Sequence, residues 1–204
     1  MKGPLFYSKI LLFGEYGIIQ DSKGLSIPYN FYNGALKKED HPSQDAIASN
    51  GHLKRFVTYL ESLQTEQPDL VQFDIATLQK DVNEGMYFDS SIPQGYGVGS
   101  SGALVAAIYD KYAQHKITVL ENLTREKLLE LKTIFSQMES FFHGKSSGLD
   151  PLNSYLSIPI LINSKDNIEA TGIPTQSFDG KGAVFLLDSG IVGETAPMVN
   201  IFME

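Results

Sequence analysis

The feature that most restricts the fold of this chain is a glycine-rich loop that runs directly into an apolar segment. Residues 93–102 contain four glycines and two adjacent serines, and residues 103–112 are almost wholly apolar. Glycine tolerates positive φ and lets the backbone approach a ligand closely. A helix N-terminus adds unpaired N–H groups and the positive end of the helix dipole. The pattern therefore predicts a buried helix whose first turn and preceding loop can hold a phosphate group.

This loop differs from the two common nucleotide-binding loops. No Gly-Lys-Ser/Thr follows it, as a P-loop requires, and the spacing of its glycines does not fit G-x-G-x-x-G. On glycine content alone, a flexible turn with a serine cap is an equally good interpretation. The candidate phosphate-binding residues are Pro93, Gly95, Gly97, Val98, Gly99, Ser100, Ser101 and Gly102.

Three charged residues outside the loop form a second candidate group. At ~100° per residue, Glu139 lies roughly 60° from the centre of its helix's apolar stripe. A carboxylate there needs a partner or a metal ion, unless it turns out to solvent. Lys9 lies in an apolar, strand-like segment, so it either lies at an edge or meets a carboxylate. Asp150 follows a glycine-bounded turn, where a turn or capping role is the alternative.

The remaining pattern predicts an α+β fold with helices mainly on one face of the sheet. Strands are expected at residues 5–13, 24–32, 71–77, 86–92, 159–163 and 183–188. Helices are expected over residues 53–63, with Ser49 or Asn50 as N-cap, over 103–112, after the cap Thr124, and from residue 195. Residues 37–50 are expected to be a surface excursion.

Composition narrows the classes of partner. The net charge of −8 disfavours nucleic acid and anionic membranes, because both reward clustered Lys and Arg. The 204 residues contain no cysteine, which excludes thiolate metal sites and thiol nucleophiles. They also contain no apolar run near the ~20 residues of a membrane span. We expect a cytoplasmic protein that binds a small molecule, with a homodimer as one option.

Three segments together resemble one family. Pro93 to Gly102 resembles the P-x-x-x-G-L-G-S-S-A motif of the GHMP kinases, with Val98 and Gly102 as mild departures. Residues 9–16 resemble the G-K-V-I-L-F-G-E-H motif of the mevalonate kinase branch, although residue 8 is serine and residue 16 is tyrosine. Residues 143–150 resemble its H-G-x-x-S-G-x-D segment, and residues 188–195 resemble its D-T-G…T region.

The resemblance implies an ATP-dependent kinase that uses Mg²⁺. Asp150 corresponds to the proposed catalytic base and Lys9 to the lysine that supports it and the phosphates. Ser101 and Glu139 correspond to the magnesium ligands. The residues implied at the acceptor substrate are Glu15, Tyr16, His143, Gly148 and Thr195.

Mevalonate is the acceptor that the resemblance favours, which would place the chain in isoprenoid precursor synthesis. A phosphomevalonate kinase would need additional basic residues, and another GHMP kinase or a non-catalytic ligand sensor are further alternatives. The implied fold is the ribosomal-protein-S5-domain-2-like N-terminal domain of GHMP kinases, over residues 1–188. Residues 189–204 would begin a C-terminal ferredoxin-like domain that is largely absent, so the chain is predicted to be part of a longer kinase.

Overall fold

The structure is a computed structural model that describes residues 3–15, 17–118, 123–164, 166–172, 186–187, 190, 193 and 201–203. Within these residues the strands are β1 Phe6–Phe13, β2 Gly24–Lys37, β3 Tyr87–Ser90, β4 Ile160–Ser164 and β5 Asn167–Ala170. The helices are α1 Gln44–Glu66, α2 Ile75–Asn83, α3 Ser100–Tyr112, α4 Arg125–His143 and α5 Leu149–Leu156, with a short 3-10 helix at Gly17–Gln20. The α+β class predicted from sequence is confirmed.

The long strand β2 organises an antiparallel sheet. β1 pairs along one edge of β2, while β3 and β4 pair with opposite ends of the other edge, and β5 extends the sheet beyond β4. The pairing of β1 with β2 shifts register between Tyr7 and Ser8. Ser8 is fully buried there, and its hydroxyl donates to the carbonyl of Tyr29 at 2.8 Å. The serine before Lys9 therefore satisfies a backbone acceptor at this irregularity.

Helix α3 lies at the centre of the molecule. It packs against β1 and β2 together with α5, while α4 packs across α1, α3 and α5, and α1 covers β3. Val105, Tyr109, Leu131 and Phe135, from α3 and α4, are at most 1% exposed in this core. Because α3 has neighbours on nearly every side, its sequence is apolar around most of its circumference. Its two ends are consequently held in fixed positions.

The predicted start of α1 is wrong. The helix begins at Gln44 after the N-cap Ser43, whose hydroxyl accepts the N–H of Ala46. Ser49 and Asn50 lie inside the helix and bond to the backbone around β3 instead of capping it. Short polar side chains suit a cap from sequence alone, but tertiary contacts with a neighbouring strand give these two a different role.

The strand predicted over residues 71–77 is also wrong. Phe73 forms an isolated bridge with Ala113, and α2 begins at Ile75. Asp74 caps α2 by accepting the N–H of Thr77 at 3.0 Å. A short alternating apolar run does not distinguish a strand from a helix entry, and here the aspartate cap decides. Helix α5 and strand β5 were not predicted, and β2 continues five residues past its predicted end at residue 32.

Predictions near the C-terminus fall largely outside the described residues. Most of the strand predicted at residues 183–188 cannot be compared with the structure, while residues 201–203 of the predicted final helix are helical. Among the described helices, none combines the length and the apolar composition that crossing a membrane requires.

Candidate functional site

Lys9 and Asp150 form an ion pair between the sheet and α5. Lys9 lies in β1 with its side chain 10% exposed, and its Nζ is 3.0 Å from Oδ1 of Asp150. Asp150 lies in the first turn of α5, where the helix dipole favours a negative charge. The aspartate side chain is 34% exposed. The pair thus joins a buried cation to a carboxylate that a ligand can reach.

Two glycines bring the N-terminus of α3 onto this pair. Gly99 is the N-cap of α3 with φ of +84°, and a Cβ on it would lie 3.1 Å from Cγ of Lys9. A Cβ on Gly102 would lie 2.7 Å from the backbone carbon of Asp150. The backbone of Lys9 also donates to the carbonyl of Val98 at 3.0 Å. Side chains at positions 99 and 102 would push α3 away from β1 and α5.

The glycine loop ends without a serine side-chain cap. Gly99 is the N-cap residue, and no side-chain hydrogen bond caps the helix. Ser100 and Ser101 are the first two residues of α3. The first N–H groups of a helix have no partner inside the helix, and they carry the positive end of its dipole. This arrangement can hold phosphate oxygens beside Asp150.

The hydroxyl of Ser101 connects α3 with α4. It donates to Oε1 of Glu139 at 2.9 Å and lies 3.0 Å from Nε2 of His143. Glu139 is 3% exposed, so the alternative in which it turns out to solvent is wrong. Its second carboxylate oxygen, Oε2, accepts a hydrogen bond from the hydroxyl of Ser146. The structure therefore gathers Ser101, Glu139 and His143 at one point.

The environment of Glu139 disfavours its charged form. Burial is the largest cause and the negative charge of Asp150 is the second, and together they raise the pKa of Glu139 to about 7. The hydroxyls of Ser146 and Ser101 and the charge of Lys9 act in the opposite direction without cancelling the effect. A buried carboxylate without a cation in contact is costly. Binding of a cation at this point would remove part of that cost.

A family model described as the GHMP kinases N terminal domain matches residues 60–157. This part of the chain is similar to the N-terminal domain of the GHMP kinases. The match contains the glycine loop, Glu139 and Asp150, whereas Lys9 lies before it. No curated protein sequence matches the chain.

Several solved structures are similar to this chain. The mevalonate kinase of Methanococcus jannaschii has 14% identity and a TM-score of 0.48, over 84% of this chain and 56% of its own. That of L. major in complex with R-mevalonate has 17% identity and a TM-score of 0.49, over 98% and 62%. That of methicillin-resistant Staphylococcus aureus has 20% identity and a TM-score of 0.45, over 86% and 56%. The chain spans 56% to 62% of the length of these structures.

The oxygen atoms of Ser101 and Glu139 fit a magnesium ion. Mg²⁺ prefers oxygen ligands at 2.0–2.1 Å in octahedral geometry, and it commonly takes one or two protein ligands besides waters and substrate phosphates. Adjacent ligands of such an octahedron are ~2.9 Å apart, and Oγ of Ser101 lies 2.9 Å from Oε1 of Glu139. Among the described residues, no group of three or more acidic or histidine side chains offers a larger metal site.

The predicted acceptor-binding residues are only partly assembled. His143 touches Ser101, and Gly148 is the N-cap of α5 with φ of +74°. Glu15 lies exposed just after β1, and no described contact connects it with Asp150. Tyr16 and Thr195 lie outside the described residues. Gly193, close to residue 195 in the chain, donates its N–H to the carbonyl of Gly95 at 3.1 Å.

Sequence reasoning missed the helix that carries Asp150. Gly148 caps α5, and Pro151 occupies its first turn. Proline is well tolerated there because the first turn needs no N–H donors, so Pro151 after an aspartate was a usable signal for a helix start. Ser146, which bonds to Glu139, is not among the candidate residues of the sequence analysis either.

Proposed function

We propose that the protein transfers the γ-phosphoryl group of ATP to a primary hydroxyl of a small carboxylic acid, with mevalonate as the first candidate. The observation that carries this proposal is the 3.0 Å pair of Lys9 and Asp150 directly beside Gly99, at the N-terminus of α3. A carboxylate able to accept a proton therefore adjoins backbone able to hold phosphate. The GHMP kinase domain match over residues 60–157 supports the same class of reaction.

The residues suggest how the transfer proceeds. The glycine loop and the first turn of α3 hold the phosphates of ATP, and Asp150 accepts the proton of the acceptor hydroxyl. The hydroxyl oxygen then bonds to the γ-phosphorus, the bond from that phosphorus to the bridging oxygen breaks, and ADP leaves. Lys9 holds Asp150 through their ion pair and offsets negative charge on the γ-phosphoryl group. Catalysis of this kind consists mostly of positioning and electrostatic stabilisation.

The 2.9 Å spacing of the Ser101 and Glu139 oxygens supports the proposal that these two residues would hold a magnesium ion. When bound, Mg²⁺ would neutralise charge on the ATP phosphates. The same two side chains are already hydrogen-bonded to each other, with Ser101 in the first turn of α3 and Glu139 in the last turns of α4. The protein therefore supplies a prepared pair of oxygen ligands next to the base.

The identity of the acceptor rests on the motif resemblance. Mevalonate carries the carboxylate and the primary hydroxyl that the proposed reaction requires. A phosphorylated acceptor would need further cations near Asp150, and Lys9 is the cation in contact with that residue.

A coupled assay of ADP release with the complete natural protein tests this proposal. Mevalonate, phosphomevalonate, homoserine and galactose serve as acceptors, with Mg²⁺ present. We expect turnover above the acceptor-free rate with mevalonate. Turnover with another acceptor would indicate a GHMP kinase with a different acceptor specificity. ATP binding without turnover on any acceptor would support the ligand-sensor alternative instead.

A further inference from the structure

One hydroxyl oxygen links Glu139 to the backbone at the start of the helix that carries Asp150. Oγ of Ser146 donates its proton to Oε2 of Glu139 and accepts the N–H of Gly148 at 3.0 Å. The backbone carbonyl of Ser146 accepts a hydrogen bond from the hydroxyl of Ser136 on α4. The side chain and the backbone of Ser146 are thus both held against α4.

Gly148 is the N-cap of α5, and Asp150 lies two residues further along. A displacement of Ser146 would therefore move Glu139 directly, and it would move Asp150 through the start of α5. Gly148 also packs closely against α4, because a Cβ on it would lie 2.1 Å from the carbonyl oxygen of Lys132. The short link from Glu139 through Ser146 to α5 therefore lies against α4 at both of its serine and glycine positions.

We propose that Ser146 is a positioning residue that fixes Glu139 for metal binding and sets the distance between Glu139 and Asp150. This inference rests on the proposed function, because it gives Glu139 the role of metal ligand and Asp150 the role of base. A carboxylate ligand whose second oxygen is held by a hydrogen bond keeps its orientation when the first oxygen meets the metal. Outer partners of this kind change metal affinity or activity by about 10- to 100-fold when they are removed.

The neighbouring Ser147 is a control for this positioning role, because it bonds to the start of α5 without a hydrogen bond to Glu139 among the described residues. Its hydroxyl accepts the N–H of Leu149 at 3.3 Å, so it also bonds to the backbone at the start of α5. The side-chain hydrogen bonds of Glu139 come from Ser101 and Ser146, and Ser147 makes none to it in the described part of the chain. Loss of either serine removes one hydrogen bond to the backbone at the start of α5, whereas loss of Ser146 also frees Oε2 of Glu139.

Mn²⁺ binding in the presence of ADP, followed by electron paramagnetic resonance on the complete natural protein, tests the proposal without requiring turnover. Mn²⁺ stands in for Mg²⁺ because both prefer carboxylate and hydroxyl oxygen. We expect Ser146→Ala to weaken Mn²⁺ binding about tenfold or more and Ser147→Ala to change it less than about twofold. Ser146→Thr retains a hydroxyl and is expected to restore binding. Should Ser146→Ala fail to fold, Ser146→Cys replaces it, because a thiol is a weak donor.

Glu139→Gln serves as the reference for loss of the metal ligand. If Glu139→Gln weakens Mn²⁺ binding but Ser146→Ala does not, the positioning role is overturned and the proposed function stands. Equal losses of Mn²⁺ binding in Ser146→Ala and Ser147→Ala would show that Ser146 acts only through the start of α5. That result would also overturn the positioning role. If Glu139→Gln binds Mn²⁺ like the unaltered protein, the metal site of the proposed function fails and this inference fails with it.

Discussion

The two ends of α3 each adjoin a carboxylate that is withdrawn from water, and the two carboxylates have opposite surroundings. At the C-terminal end, Asp81 of α2 accepts hydrogen bonds from Lys111 and Tyr112 of α3, and Lys38 adds a second ammonium group at 2.9 Å. At the N-terminal end, Glu139 accepts its hydrogen bonds from hydroxyls. The difference lies in whether a cation touches the carboxylate.

The pKa values follow this difference. Burial raises the pKa of Asp81, but the hydrogen bonds from Lys111, Tyr112 and Lys38 outweigh burial and hold the pKa well below its ordinary value. At Glu139, burial and the charge of Asp150 prevail and the pKa rises. A carboxylate supplied with cations stabilises the folded chain when it is ionised, whereas one without them costs folding energy. The comparison suggests that the N-terminal end is arranged for a cation supplied with the ligand.

The largest contrast between the two ends is expected in catalysis. Asp150→Asn removes the proton acceptor and should lower kcat by about 10²- to 10⁴-fold, with little change in ATP binding or in Tm. Asp81→Asn at the opposite end should leave kcat nearly unchanged. Steady-state kinetics of both variants of the complete natural protein decide this. More than half the activity in Asp150→Asn would return that residue to a helix-capping role.

The sequence was sufficient to select the candidate site residues but not to predict the surroundings of the two ends of α3. The glycine loop, Lys9, Glu139 and Asp150 carry local signals in residue type and spacing, and the structure brings them together. Asp81 carries no such signal, because its partners come from the residue just after β2 and from α3, 43 and 30 residues away in the chain. Contacts between distant segments depend on how the elements pack, and a periodicity does not encode them.

The second prediction concerns the pH dependence of stability at Glu139. The folded pKa of about 7 lies above the ordinary value of 4.5, so the folded chain keeps a proton that the unfolded chain has released between these pH values. Stability contributed by this group is complete below pH 4.5 and is lost as the pH rises through 7, by about 3 kcal/mol in all. Urea unfolding without metal should therefore show Glu139→Gln to be more stable than the unaltered protein at pH 8.

The two proteins should be closely similar well below pH 4.5, where the glutamate is protonated in both states. The matched control is Ser140→Ala, which lies beside Glu139 in sequence and bonds to the carbonyl of Ser136 within α4. Ser140→Ala should change the free energy of unfolding by the same amount at low pH and at pH 8. A constant difference between Glu139→Gln and the unaltered protein across this range would contradict the raised pKa.

The third prediction concerns Asp81, where the pH dependence of stability has the opposite sign from that of Glu139. Its folded pKa lies below 3.8, so its contribution is present above that pH and is lost as the pH falls below it. Asp81→Asn should therefore lower the free energy of unfolding by about 2 kcal/mol at pH 7, because hydrogen bonds to a charged group are lost. The deficit should shrink below pH 4. Glu84→Gln, which alters a half-exposed partner of Lys38, should leave Tm nearly unchanged at both pH values.

The smallest effect is expected from Tyr112→Phe, and it tests whether the donors around Asp81 can replace one another. Tyr112 is 3% exposed, and its hydroxyl reaches both Asp81 and the sulfur of Met86. Removal of the hydroxyl leaves Asp81 with two ammonium groups, so the loss should be about 1 kcal/mol. In a double-mutant cycle with Asp81→Asn, that loss should fall toward zero, because the two residues share one interaction. A loss that persists in full beside Asp81→Asn would show that Tyr112 stabilises the core through Met86, and the contrast between the two ends of α3 would then rest on the lysines.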